Sequence, residues 1–231
     1  MIKPYYSEPN ITIYNGDCLE VMKELPDNSI DCVITDPPYG INYLSNMRVK
    51  SEKFELLVND DSNFRFKLYE LMFFKMKINS AALIFCSFKN YPEDYNELKK
   101  YFDIKNIVVW FKPGGGIGDL EHSLSTDYEL VVVAHKGKCT IKSKRIGSVW
   151  KINKVNPNSM VHPTQKPAPL INELLKCFTS IDDTILDPFL GSGTTARACK
   201  DLGRKCIGIE INKKYCDIAI KRLAQEVFNF K

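Results

Sequence analysis

Histidine and tryptophan are scarce in this 231-residue sequence, at three and two copies. His122, His135 and His162 stand far apart, and the eight cysteines (Cys18, Cys32, Cys86, Cys139, Cys177, Cys199, Cys206 and Cys216) form no Cys-x-x-Cys pair. That scatter suits neither a metal site nor a disulfide framework. It suits buried free thiols in a reducing cytoplasm. No apolar run approaches the roughly 18 residues that a membrane span needs. Met1-Ile2-Lys3-Pro4-Tyr5-Tyr6 lacks the apolar stretch of a secretory signal. These absences predict a cytoplasmic protein with no membrane contact. Internal repeats and low-complexity segments are also missing, and the length suits one sizeable core.

Acid is missing from one stretch. Residues 136–166 carry eight Lys/Arg and no Asp or Glu, whereas residues 1–135 carry 14 against 20 and residues 167–231 carry 10 against 8. A solvated basic face is the ordinary reading of scattered lysines. A block this pure, in a chain of net charge only +4, points instead to contact with a polyanion.

Short apolar or β-branched runs at 11–14, 30–35, 81–86, 104–111, 128–135, 184–187 and 205–211 read as strands. Helical stripes fall at 18–25, 64–76, 92–101, 167–178, 194–202 and 213–227. Residues 138–150 suggest short strands or a hairpin. Residues 42–62 show no period and read as a long loop of the kind that serves as a lid. The glycines of 113–118 make a flexible connection. Strands alternating with helices predict an α/β fold whose largely parallel sheet is covered on both faces.

Two strand ends carry chemistry. Thr35-Asp36-Pro37-Pro38-Tyr39-Gly40 follows the run Cys32-Val33-Ile34. Prolines end the pairing and stiffen the loop, because each lacks an N–H and restricts the residue before it. Asp36 and a fixed proline carbonyl could accept both hydrogens of one NH2 group, and Tyr39 could stack on the ring that bears it. An ordinary strand-ending turn is the plainer alternative.

The second strand end is Asp187-Pro188-Phe189-Leu190-Gly191-Ser192-Gly193-Thr194-Thr195-Ala196. No lysine follows Gly193, which excludes a P-loop. The glycine spacing fits a dinucleotide site, with Glu210 one strand later for ribose hydroxyls. It fits a site for S-adenosylmethionine equally well. Asp187 decides between them, since a carboxylate there repels a pyrophosphate and suits a ligand with an ammonium group. Only 21 residues follow Glu210, so further strands must come from the N-terminal part and the strand order is circularly rearranged.

Asp36-Pro37-Pro38-Tyr39, then His162-Pro163-Thr164-Gln165-Lys166-Pro167, then Asp187 to Thr195 resemble the amino-methylating DNA methyltransferases in their β-type motif order. Asn15-Gly16-Asp17-Cys18 and Trp110-Phe111-Lys112-Pro113 sit where that family has related segments. The resemblance covers nearly the whole chain. It implies a Rossmann-like methyltransferase fold with a mostly parallel, seven-stranded sheet in circularly permuted order. One catalytic domain would span 1–231, with a small basic target-recognition insertion at about 136–161.

It further implies that Asp36, Pro37, Pro38 and Tyr39 hold the N6 amino group of an adenine flipped out of duplex DNA. S-adenosylmethionine would lie against Asp36, Asp187, Phe189, Gly191, Ser192, Gly193 and Thr194, with Glu210 and Asn212 at the ribose end. Asp17 and Cys18 would lie near its adenine, although Asp17 also reads as an N-cap. Thr164 and Lys166 would lie near its methionine end, Lys166 on the carboxylate or on a DNA phosphate. For His162 the choice is between a general base and a structural His-Pro turn.

Lys142, Lys144, Arg145, Lys151 and Lys154 would meet DNA, with Arg145 the candidate for a base contact. So small a recognition module leaves room for help from residues 42–62 or from a second subunit. A homodimer and a cognate restriction endonuclease are the partners that the resemblance suggests. Serine is usual at the first motif position of cytosine-N4 members, so Asp36 favours adenine. Cytosine-N4 or RNA methylation, a silent DNA-binding protein on the same fold and a nicotinamide-dependent enzyme remain the competing readings.

Overall fold

The computed structural model describes residues 2–38, 62–114, 121–156, 160–162 and 165–225. Tyr39, Thr164, the 42–62 stretch apart from Ser62, and residues 115–118 of the glycine connection lie outside them. The elements in chain order are β1 (Tyr6–Glu8), β2 (Ile11–Asn15), α1 (Cys18–Glu24), β3 (Ile30–Thr35), α2 (Ser62–Lys75), β4 (Met76–Cys86), α3 (Tyr91–Leu98) and β5 (Asp103–Phe111). Then come β6 (Tyr128–Lys136), β7 (Val149–Lys151), α4 (Ala168–Phe178), β8 (Thr184–Asp187), α5 (Thr194–Leu202), β9 (Lys205–Glu210) and α6 (Lys213–Ala224).

One sheet takes every strand, in the order β1-β2-β9-β8-β3-β4-β6-β5-β7. The seven predicted strands are its seven central positions. Two three-residue edge strands, β1 and β7, bring the total to nine. From β2 through β4 every neighbour runs parallel, and β6 alone among the central strands is antiparallel to both of its neighbours. β8 lies in the middle, with β9 and β2 laid down on one side and β3 and β4 on the other. Connections leaving β8 and β3 therefore diverge and open a crevice at the carboxyl ends of those two strands.

Residues 138–150 form no hairpin. Among them only Val149 and Trp150 enter a strand, and β7 pairs in parallel with β5. Trp110 explains the attachment: its indole N–H donates to the Ile152 carbonyl at 2.8 Å, while the Ile152 N–H donates to Phe111.

Strand alternation builds two cores. Ala81, Leu83 and Phe85 of β4 face a cluster with Leu170, Leu174, Ala196 and Ala219 from α4, α5 and α6. Ala82, Ile84 and Cys86 face Val21, Met22, Leu68, Met72 and Leu98 from α1, α2 and α3. Helices thus cover both faces, as the near-continuous apolar strands require. No helix among the described residues is long and apolar enough to cross a membrane.

Candidate active site

The alternation that buries Cys32 and Ile34 beneath α4 carries Asp36 to the same side of the sheet. There it meets Lys166, just before α4, whose Nζ lies 2.7 Å from Asp36 Oδ2 and 3.0 Å from Glu129 Oε2. Lys166 is nearly buried, and its ammonium also lies 4.9 Å from the centre of the Phe85 ring. Burial alone would lower its pKa. The two carboxylates outweigh burial and hold it above the usual lysine range. The sequence reading placed Lys166 against a cofactor carboxylate or a DNA phosphate; within the protein its partners are these two acids. Pro37 and Pro38 continue from Asp36 without secondary structure.

His162 packs edge-on to Tyr215 with ring centres 4.3 Å apart. Burial foremost, then Lys166 and Arg222, bring its pKa down to about 4. The ring is packed and mostly neutral, and its low basicity makes it a weak proton acceptor. It lies beside Gly191, where the positive φ and not a lack of space favours glycine. That residue has φ +53°, and a Cβ there would sit 3.5 Å from His162 Nε2.

Gly193, at φ +80°, forms the non-helical start of α5. A Cβ added to it would lie 2.6 Å from the Ala219 Cβ, so only glycine lets α5 and α6 approach so closely. Around this turn two acids are buried. Asp187, at the end of β8, accepts the Phe189 N–H at 3.1 Å and a hydrogen bond from Thr195. No cation pairs with it among the described residues, and burial pushes its pKa up to about 7. It is therefore a nearly dry carboxylate suited to a ligand's ammonium. Glu210, at the end of β9, accepts the Gly191 N–H on one oxygen and the Asn212 N–H on the other, each at 2.8 Å. A carboxylate has about four acceptor positions, and with the Ile211 backbone also against it, Glu210 keeps capacity for a ribose hydroxyl. Burial raises its pKa against the pull of those backbone donors.

The remaining cofactor-site expectations divide by what the side chains do. Asp17 caps α1, accepting from the Leu19 and Glu20 N–H groups at 2.8 and 3.2 Å. Cys18 is buried behind it, its thiol pushed up to about 12 by burial and so protonated. Asn212 caps α6 through the Lys214 N–H. Thr194 accepts from Arg222 at 2.6 Å, Ser192 is buried, and Phe189 packs edge-on to Phe64 at 6.0 Å between centroids. Asp187, Gly191, Ser192, Gly193, Thr194, Glu210 and Asn212 thus surround one turn, with Asp36 on the adjoining strand.

The residues of the basic block do not lie in one patch. Lys136 is turned inward to the Phe73 and Met76 carbonyls, and Lys166 is consumed by Asp36 and Glu129. The exposed members lie at opposite edges of the sheet. Lys151 ends β7 level with Phe111, at the carboxyl edge where Asp36 stands, and Lys154 follows. The Lys142 N–H instead donates to the Cys177 carbonyl at the far end of α4, so Lys142, Lys144 and Arg145 belong to the opposite edge. The 11 residues of α4 make that separation about 16 Å.

Sequence reasoning missed Glu129 as the second partner of Lys166, and Lys112 as the partner of Glu129. A lone acid opening the apolar run Tyr128-Glu129-Leu130-Val131 was the available signal.

A family model described as "DNA methylase", for N6 and N4 methyltransferases, matches residues 30–221. The type II methyltransferase M2.DpnII of Streptococcus pneumoniae is 30% identical, with 98% of this chain aligned to 94% of that protein. Among solved structures, the M1.HpyAVI complex with SAM superposes with a TM-score of 0.72 at 29% identity, over 92% of this chain and 99% of that one. The cytosine-N4-specific PvuII DNA methyltransferase reaches a TM-score of 0.79 at 20% identity, over 97% and 90%, a likeness of fold. With the model spanning both strand-end motifs and the crevice between them, the chain belongs to the N6/N4 DNA methylase family.

Proposed function

We propose that the protein transfers a methyl group from S-adenosylmethionine to the N6 amino group of adenine in duplex DNA. One observation carries this reading. Two acids with different tasks end neighbouring parallel strands: Asp36, within reach of solvent and backed by an ammonium, and Asp187, buried without one. Asp187 suits the cofactor's ammonium, and Glu210 suits its ribose hydroxyls. When bound, S-adenosylmethionine supplies a methyl group on a positively charged sulfur, which the base amine displaces as the C–S bond breaks.

Asp36 and the Pro37 carbonyl accept the two amine hydrogens and so aim the nitrogen lone pair at the carbon under attack. The carboxylate stabilises the positive charge that grows on the amine and stands ready for the proton the amine gives up. His162, at a pKa of about 4, is a weaker candidate for that proton and has a structural role in this reading. Asp36, the residue the family resemblance associates with adenine, supports N6 over cytosine N4. Incubation with duplex DNA and methyl-labelled S-adenosylmethionine, followed by digestion to nucleosides, tests the reading. Label in N6-methyl-2′-deoxyadenosine is expected; label in methyl-2′-deoxycytidine, or none on several DNAs, overturns it.

Asp187 gives a pH signature. At pH 6 it is mostly neutral in the free protein, so binding an ammonium ligand must release its proton. Affinity for S-adenosylmethionine is expected to rise by up to about tenfold per pH unit below 7 and to level off above about 8. Calorimetry in buffers of different ionisation enthalpy should register the proton. An affinity flat from pH 5.5 to 8 removes Asp187 from the ammonium.

The split of the basic block predicts unequal DNA contacts. Replacing Lys151 and Lys154 by Gln should reduce the slope of log K against log salt by about 2, roughly one for each phosphate that no longer faces a lysine. The triple replacement of Lys142, Lys144 and Arg145 should change it less. The reverse order would mean that duplex DNA lies against the opposite edge of the sheet.

A further inference from the structure

Asp36 does not meet Lys166 alone; it ends a chain of alternating charges. Lys112, one residue beyond β5, donates to Glu129 Oε1 at 2.8 Å. Glu129 Oε2 lies 3.0 Å from Lys166 Nζ, which reaches Asp36 Oδ2 at 2.7 Å. The two ammonium groups rest over aromatic rings, Lys112 5.5 Å from the centre of Trp110 and Lys166 4.9 Å from that of Phe85. Trp110 is the direct sheet partner of Glu129, and β6 carries Glu129 across to β4 and Phe85. Two cations and two anions leave the chain neutral, which is the condition for holding four charges in a half-dry crevice.

We propose that Glu129 is a positioning residue for methyl transfer, fixing Lys166 between two carboxylates so that Asp36 keeps both its orientation and its strength as an acceptor for the target amine. The inference rests on the methyltransferase reading above and adds a residue to it. A lysine ammonium has three donors on a flexible stem, and one carboxylate does not fix its direction. Glu129 supplies the second anchor from a rigid central strand. It also divides the ammonium's charge. Without it the whole field of Lys166 falls on Asp36, weakening that carboxylate as an acceptor at the moment positive charge grows on the amine. Glu129 itself stays ionised: burial opposes the charge, but Lys166 and Lys112 outweigh it and keep its pKa below the usual carboxylate range. Lys112 ends the chain of charges on the side away from Asp36 and pairs with Glu129, so its loss reaches the acceptor through Glu129.

The test compares Glu129→Gln, Glu129→Asp and Lys112→Met with the wild type in single turnover on duplex DNA, alongside equilibrium binding of S-adenosylmethionine and thermal midpoints. Glu129→Gln is expected to lower the transfer rate at saturation by about 10- to 100-fold, with KM for DNA and Kd for the cofactor within threefold. Glu129→Asp, which restores the charge, should recover at least half of that loss on a logarithmic scale. Lys112→Met keeps the Glu129–Lys166–Asp36 links and should cost less than fivefold. An unchanged rate in Glu129→Gln, or a loss confined to KM, overturns the proposal. If Glu129→Gln fails to fold, the folded Glu129→Asp variant decides: a transfer rate about 3- to 10-fold down, with Kd for the cofactor within threefold, supports the anchor, and a wild-type rate overturns it. A wild-type protein that methylates no DNA defeats the underlying function instead, a result distinct from an active wild type beside an equally active variant.

Discussion

Asp36→Ala is expected to lower the rate of methyl transfer by at least about 1,000-fold while leaving the dissociation constant for S-adenosylmethionine within about threefold. A preorganised group aimed at developing charge contributes on that scale, and here the positioning of the amine is lost with it. The fold should tolerate the change. Asp36 lies beyond the last paired residue of β3, and its loss leaves Lys166 still paired with Glu129, so no buried cation is orphaned. Cofactor binding is expected to survive because Asp187 and Glu210 stand on β8 and β9 and take their hydrogen bonds from the glycine turn and the residues that follow each strand. Rapid-quench transfer and equilibrium dialysis on the same preparation separate the two quantities. A variant that loses cofactor affinity as fully as activity would show that Asp36 belongs to the cofactor site. Asp36→Asn should be nearly as slow: the amide oxygen still accepts, but the negative charge is gone.

The paired strand ends were legible because their residues act locally. Prolines after Asp36 and glycines after Asp187 dictate backbone shape from the sequence itself, and strand runs rich in Ile, Val and Leu state their own burial. Gly193 is typical, since a turn with positive φ beside a helix start needs glycine whatever surrounds it. Side-chain partnerships across the chain were not legible. Lys166 lies 130 positions from Asp36, and a basic residue beside a cofactor motif has a plausible anionic partner in any ligand that binds there. Only the antiparallel insertion of β6 between β4 and β5 brings Glu129 to Lys166, and no local pattern announces the direction of a strand. The layout of the basic block was not legible for a related reason. Composition reports that acids are absent but not which edge of the sheet each lysine reaches: β7 holds Lys151 at one edge, while the Cys177 carbonyl holds Lys142 at the other.

Arg65→Met is expected to be the most damaging single change away from the crevice. Arg65 and Asp94 are both almost fully buried, 2% and 1% exposed, and joined at 3.0 Å. Tyr69 donates to the same carboxylate oxygen, and a second guanidinium nitrogen reaches Glu93. The group ties α2 to α3 across the lower core. Removing the guanidinium leaves Asp94 in a dry site with one phenol for company, a loss of about 3–5 kcal/mol by the usual cost of breaking a buried pair. In a chain of this size each kcal/mol moves the midpoint by about 2–4 °C, so the shift should be plain in a thermal or urea melt. The paired change Arg65→Met with Asp94→Leu removes both charges and should recover most of the loss, because the cost lies in the uncompensated charge and not in missing attraction. If the single variant melts within about 1 kcal/mol of wild type, or the double variant is worse than the single, water reaches the cluster and it is no buried pair. The effect should also be felt at the glycine turn. Phe64, beside Arg65 on α2, packs against Phe189, so loosening α2 is expected to weaken cofactor binding at temperatures where the protein is still folded. Asp36 and Lys166, which belong to the other face of the sheet, should keep their pairing.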